Sequence, residues 1–133
     1  MAEQTLIVLK PDSVKRNLIG EILRRFEQNG FVIKKLKMLT MSREEAHTFY
    51  SVHKEKPFFD ELVSFITSGP IVAAVIEGSD AVNKVRAIIG ATKPSEAAHG
   101  TVRKDFGTSI TQNAIHASDS HESFINESKV IFG

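Results

Sequence analysis

The chain has 133 residues, and its 17 Lys and Arg against 16 Asp and Glu leave a formal charge of +1. A single domain over residues 1–133 would bury roughly two thirds of its unfolded surface, and so balanced a charge argues against a nucleic-acid or membrane-surface specialist. Cysteine is absent, which excludes disulfides and thiolate metal sites; with no signal-peptide pattern at the N-terminus and no apolar run near about 18 residues, a soluble, cytoplasmic protein is expected.

Thr5 to Leu9 is short, apolar and partly β-branched, as in a strand buried on both faces. Ile19, Ile22, Leu23 and Phe26 recur at helical spacing, with Gly30 as a left-handed stop. Phe31 to Leu39 interleaves apolar residues with Lys34, Lys35 and Lys37, the pattern of an edge strand. Ser42 with Glu45 opens a helix through Ala46, Phe49 and Tyr50. A further helix spans Phe58 to Ile66, after Pro57 and before Gly69-Pro70. Ile71 to Ile76 is a second central strand, and Asp80 caps a helix whose stripe of Val82, Val85, Ile88 and Ile89 ends at Gly90. Residues 91–111 have no clean period and read as a long loop, of the kind that carries function or is disordered. Asn113 to His116 is a fourth strand, and Asp119 to Ile131 the last helix. The order β, α, β, two helices, β, α, β, α is the split βαβ arrangement of the α+β, ferredoxin-like class: a four-stranded antiparallel sheet covered by helices.

The run Asn113-Ala114-Ile115-His116-Ala117-Ser118-Asp119-Ser120 is where the strand pattern becomes a helix-start signal. Asp119 followed by Glu122 reads as a capping box, which places His116 beside a helix N-terminus that favours anions, phosphate included. Imidazole is nucleophilic near neutral pH, so a phosphate-handling histidine stands against a histidine simply bonded at a strand end. Neither common glycine-rich phosphate cradle is present; a bound nucleotide must therefore be held by side chains. Candidates are Lys10 at the end of the first strand, Arg86 beside the apolar stripe, and Arg103 with Lys104 in the long loop, each otherwise an ordinary surface charge.

His47, His53, His99 and His121 show no zinc-ligand spacing with His116 or a carboxylate, and read as surface or locally bonded residues. No metal site on the protein is expected. Ser118 and Ser120 suit helix capping better than a nucleophile elbow. Phe58 and Phe59 are core residues of a helix, or one of them is a platform for a flat ligand. Tyr50 is either a helix residue with a wet hydroxyl or a donor to phosphate.

These pieces resemble the nucleoside diphosphate kinase family over the entire chain. Asn113-Ala114-Ile115-His116-Ala117-Ser118-Asp119 is similar to the family signature Asn-x-x-His-Gly-Ser-Asp. Leu9-Lys10-Pro11-Asp12, Lys56-Pro57-Phe58-Phe59, Thr67-Ser68-Gly69-Pro70, Gly90-Ala91-Thr92 with Pro94, and Gly100-Thr101-Val102-Arg103 with Asp105-Phe106 follow the family in order and spacing. The resemblance implies ping-pong transfer of the terminal phosphate of a nucleoside triphosphate to a nucleoside diphosphate, through a phosphohistidine at His116. It implies that Lys10, Arg86 and Arg103 neutralise phosphates, and that Thr92 and Asn113 hydrogen-bond phosphate or sugar. Tyr50 then helps place the transferred group, and Glu127 with Ser118 orients the imidazole. Phe58 stacks on the base, with Leu62 and Ile110 as apolar contacts. Mg2+ arrives chelated by the nucleotide.

Three positions depart from the family pattern. Ala117 replaces a glycine, which is harmless unless φ there is positive; Lys93 stands where Asn is frequent, and His99 where Pro is frequent. Members assemble as hexamers or tetramers, and without the longer C-terminal extension of many members the choice stays open. The alternative class is a non-enzymatic ferredoxin-like nucleotide-binding regulatory module; a nucleic-acid-binding role would need a basic stripe that the charge balance does not supply.

Overall fold

A computed structural model places the two apolar segments at the centre of one sheet. The structure describes residues 2–51, 55–109 and 112–133. The elements run β1 (Ala2–Leu9), α1 (Pro11–Lys15), α2 (Ile19–Gln28), β2 (Val32–Leu39), α3 (Arg43–Phe49), α4 (Phe59–Ile66) and β3 (Ile71–Ser79). There follow α5 (Ala81–Ile89), a 3-10 turn (Pro94–Glu96), α6 (Val102–Phe106), β4 (Ile115–Ala117) and α7 (His121–Phe132). The strand order is β2-β3-β1-β4, with every neighbouring pair antiparallel.

Strand alternation divides the apolar residues between two layers. Ile7, Leu9, Val72, Ala74 and Ile76 join Ile22 and Phe26 of α2 and Val85 and Ile89 of α5 on one face. Leu6, Val8, Ile71, Ala73 and Val75 join Phe49, Leu62, Val63, Ile66 and Ile131 on the other. Both faces of β1 and β3 are thereby covered, which is why these strands carry no polar alternation. The lysine-bearing strand β2 is the edge that its pattern predicts. Its Val32, Leu36 and Met38 stay exposed.

Local signals mostly hold. Ser42 and Glu45 form the reciprocal capping box, Ser42 Oγ accepting from the Glu45 N–H and Glu45 Oε1 from the Ser42 N–H. Gly90 ends α5 at φ 89°, and a Cβ there would lie 2.6 Å from Thr101 Oγ1.

Several expectations are corrected. The last helix is capped by Ser120, which accepts from the Ser123 N–H, while Asp119 accepts from Ser123 Oγ at 2.6 Å; the Asp119–Glu122 capping box does not form. Asp80 lies at φ 51° and does not cap α5, since Glu3 on the adjoining strand takes the Val82 N–H instead. Both are cases in which a residue brought close by the chain path outcompetes the local one. The segment 91–111 is not a featureless loop, because it contains the Pro94–Glu96 turn and α6, which Thr101 caps through the Lys104 N–H. Helix α1 goes unforeseen, being too short for a periodic signal, although Pro11 at its first position suits a start. The fourth strand begins at Ile115, two residues later than expected, because Ala114 has φ 76° and cannot join a ladder.

Candidate active site

The site gathers where the C-terminal end of β1 meets β4. His116 pairs with Val8 across the β1–β4 ladder and so points to the face covered by α3, α4 and α7. Its neighbours Ile115 and Ala117 point into the opposite layer. On its own face the ring meets Phe49 edge-on, with centroids 5.0 Å apart, and Tyr50 at 6.3 Å. Glu127, one turn beyond Ser123 on α7, reaches back: its Oε1 lies 2.8 Å from His116 Nε2 and accepts from Ser118 Oγ at 2.8 Å. A carboxylate oxygen can only accept here, so a ring proton sits on Nε2, and of the two neutral tautomers this contact selects the one whose lone pair is on Nδ1. The imidazole is oriented by a half-buried carboxylate whose side chain is 12% exposed.

Around it lies a cleft of about 250 Å³ lined by Lys10, Tyr50, Phe58, Leu62, Arg86, Thr92, Arg103, Asn113, His116 and Glu127, together with Lys56, Ala117, Asp119 and Ser123. Lys10 is buried, and its Nζ donates to Asn113 Oδ1 at 2.9 Å; Asn113 Nδ2 in turn donates to the Thr92 carbonyl at 3.0 Å. Arg103, buried on α6, donates to the carbonyls of Gly90 and Ile115. Arg86 is exposed and donates to the Ala117 carbonyl at 3.3 Å.

The electrostatics match an anion site. Burial, then the Arg103 charge, lower Lys10 to about 7, with Asp12 opposing. Burial, then Arg86, lower Arg103 to about 10. Cations brought close and stripped of water in this way are relieved by an incoming polyanion. Burial and Glu127 raise the Tyr50 phenol, so it stands in the cleft as a neutral hydroxyl. Asp119 is held low, chiefly by the Ser123 hydroxyl and then by Arg86 and His116 against its partial desolvation.

Of the twelve residues that the family resemblance assigns to the site, ten line this cleft. Ser118 stands behind His116, bonded to Glu127, and Ile110 lies outside the described residues. Lys104 is not part of the cleft. Arg103, expected on a loop, is instead carried by a helix. Asp119 is a helix-start residue on sequence grounds and Ser123 carries no signal there, and both stand in the wall with α7 starting two residues later than expected. Ala117 has no positive φ and sits in the β4 ladder, so its Cβ is accommodated. His47 packs edge-on against Phe59, and His121 lies tilted on Phe124; His53 is outside the described residues. Among the described residues there is no cluster of three His, Asp or Glu able to hold a metal, and no helix is long and apolar enough to cross a membrane.

Residues 3–133 match the family described as nucleoside diphosphate kinase. The chain belongs to the nucleoside diphosphate kinase family. Nucleoside diphosphate kinases of Picrophilus torridus and Staphylothermus marinus are each 55% identical to it over 130 residues, 98% of this chain and 94% and 92% of theirs. The solved nucleoside diphosphate kinase of Aquifex aeolicus superposes with a TM-score of 0.97 at 52% identity, covering 100% of this chain and 96% of that one. That of Halobacterium salinarum, in complex with CDP, gives 0.95 at 44%, covering 99% and 88%. As in the family, the activity is transfer of the terminal phosphate of a nucleoside triphosphate to a nucleoside diphosphate through a phosphohistidine. Nothing in these likenesses favours the non-enzymatic alternative.

Proposed function

We propose that His116 is the phosphate carrier and that its Nδ1 is the attacking atom. The supporting observation is the 2.8 Å contact of Nε2 with Glu127, which leaves Nδ1 as the nucleophilic nitrogen of a ring that shares its cleft with Lys10, Arg86 and Arg103. In the first half-reaction a P–N bond forms at Nδ1 as the bond from the terminal phosphorus to the bridging oxygen breaks, and the diphosphate leaves with that electron pair. The ring gains positive charge while keeping its Nε2 proton, and Glu127 offsets that charge. In the second, a terminal oxygen of another diphosphate attacks the phosphorus, and the P–N electron pair returns to Nδ1. Because the two halves mirror each other, Lys10, Arg86 and Arg103 serve both by neutralising the non-bridging oxygens.

Thr92 and Asn113 hydrogen-bond phosphate or sugar, and Tyr50 places its hydroxyl beside the transferred group. Phe58, 38% exposed at the mouth, offers a face to the base; it also borders an adjoining hollow of about 470 Å³ beside Lys93, Pro94 and Ser109. Leu62 in the cleft wall adds apolar contact, a role that the family resemblance also gives to Ile110. The nucleotide brings its own Mg2+ as part of the substrate, and Asp119, held as a carboxylate, is the wall residue suited to the waters of that ion. The edge strand β2, with Val32, Leu36 and Met38 exposed, supports self-association into a hexamer or tetramer, to be resolved by sedimentation. Mg-nucleoside triphosphates are cytoplasmic metabolites, which supports a cytoplasmic setting. The test of the site is incubation with terminally labelled Mg-ATP. An acid-labile, base-stable protein adduct is expected, absent in His116→Ala; retention of the adduct in that variant removes His116 from the role.

A further inference from the structure

Asn113 and His116 both line the cleft, although residues three apart on an extended strand face opposite sides. The turn at Ala114 reconciles them. Ala114 has φ 76°, and the Ile115 N–H donates to the Asn113 carbonyl across it at 2.9 Å, closing a γ-turn. An L-residue in that conformation is strained and persists only where its surroundings hold it. Here the backbone of Ala114 is gripped on both sides: its N–H donates to Asp12 Oδ2 at 3.1 Å, and its carbonyl accepts from Ser13 Oγ at 2.7 Å and from the Lys10 N–H at 3.0 Å. Asp12 and Ser13 are both buried, in the first turn of α1, a helix with no side-chain cap of its own.

We propose that Asp12 and Ser13 are positioning residues that hold the strained turn at Ala114, so that Asn113 and His116 face the same cleft. This rests on the reading of His116 as the phosphate carrier. Neither residue touches the nucleotide; they act through the backbone of Ala114. Burying the Asp12 carboxyl raises it, against Lys10 and the Ala114 N–H, which is the expected cost of placing an acceptor there.

The test measures the rate of phosphohistidine formation at saturating Mg-ATP, together with KM, in Asp12→Ala, Asp12→Asn and Ser13→Ala, each with and without Ala114→Gly. Asp12→Ala is expected to slow the step about tenfold to a hundredfold with little change in KM, and Ser13→Ala to slow it less. Asp12→Asn keeps an acceptor for the N–H and should retain most of the rate. Ala114→Gly should restore much of each loss, because glycine adopts that φ without strain. Equal losses in both backgrounds, no loss at all, or Asp12→Asn as damaging as Asp12→Ala would overturn the proposal, the last by assigning the effect to the charge beside Lys10. Should Asp12→Ala fail to fold, Ser13→Ala with and without Ala114→Gly decides by the same criterion. Failure of the unaltered protein to form the adduct would instead count against the reading of His116.

Discussion

Replacing Glu127 by Gln isolates the electrostatic part of catalysis. The amide oxygen can still accept from His116 Nε2 and Ser118 Oγ, so the ring keeps its place, and what disappears is the negative charge 2.8 Å from a nitrogen whose ring becomes positive on phosphorylation. A hydrogen bond to a charged group is worth about 1.5–3 kcal/mol against about 0.5–1.5 for a neutral one. The side chains are 18% and 12% exposed, so solvent screens this pair little. A loss of about 1–2 kcal/mol follows, or about fivefold to thirtyfold in rate. Quench-flow measurement of phosphohistidine formation under single-turnover conditions reads the step directly. On the proposed role of Glu127 in offsetting the ring's developing charge, the loss should appear at saturating Mg-ATP with KM nearly unchanged. A rate within twofold of the unaltered protein, or an effect confined to KM, refutes the assignment.

Three further outcomes are expected. Lys10, lowered to about 7, carries its full charge only below that pH; as pH rises through 7 the free enzyme loses a phosphate-binding cation, so nucleotide Kd should climb and binding should take up about one proton. Calorimetry in buffers of differing ionisation enthalpy checks this, and Lys10→Arg should flatten the profile. For folding the sign is opposite: the unfolded chain keeps that proton up to 10.5 and the folded chain releases it near 7, so Lys10 adds to stability as pH rises across that window. Phe58→Ala should weaken nucleotide affinity by about 1–3 kcal/mol while adduct formation at saturation persists; loss of the adduct at saturation would show a part in the chemistry itself. Gly90→Ala should cost about 1–3 kcal/mol in urea titrations, from the positive φ and the 2.6 Å approach to Thr101.

The elements that could be read in advance are those whose signal is contained within them. Thr5 to Leu9 and Ile71 to Ile76 are apolar on both faces because both faces are covered, and the lysines of β2 mark an edge because an edge is wet. Ser42 and Glu45 cap their helix with partners three residues away. Where a competing partner comes from elsewhere in the chain, local reading fails: Glu3 displaces Asp80 at the start of α5, and the hydrogen bonds that shape the Asn113–His116 turn come from Asp12 and Ser13, about a hundred residues earlier. Lys104 beside Arg103 shows the same limit, since adjacent cations on a helix point to different places and only one is buried in the cleft.

Composition, periodicity and short motifs thus determined the class of fold and which strands are central or at an edge, because burial pattern is a local property; of the cleft they offered His116, Lys10, Arg86 and Arg103 as candidates, and the family resemblance supplied the rest. Tertiary structure alone decided which nitrogen of His116 is engaged by Glu127, how far burial and like charge shift Lys10, and why Ala114 rather than Ala117 is the strained neighbour. Those depend on distances between segments remote in the chain, and a carboxylate 2.8 Å from one ring nitrogen exists only once α7 has packed against the sheet.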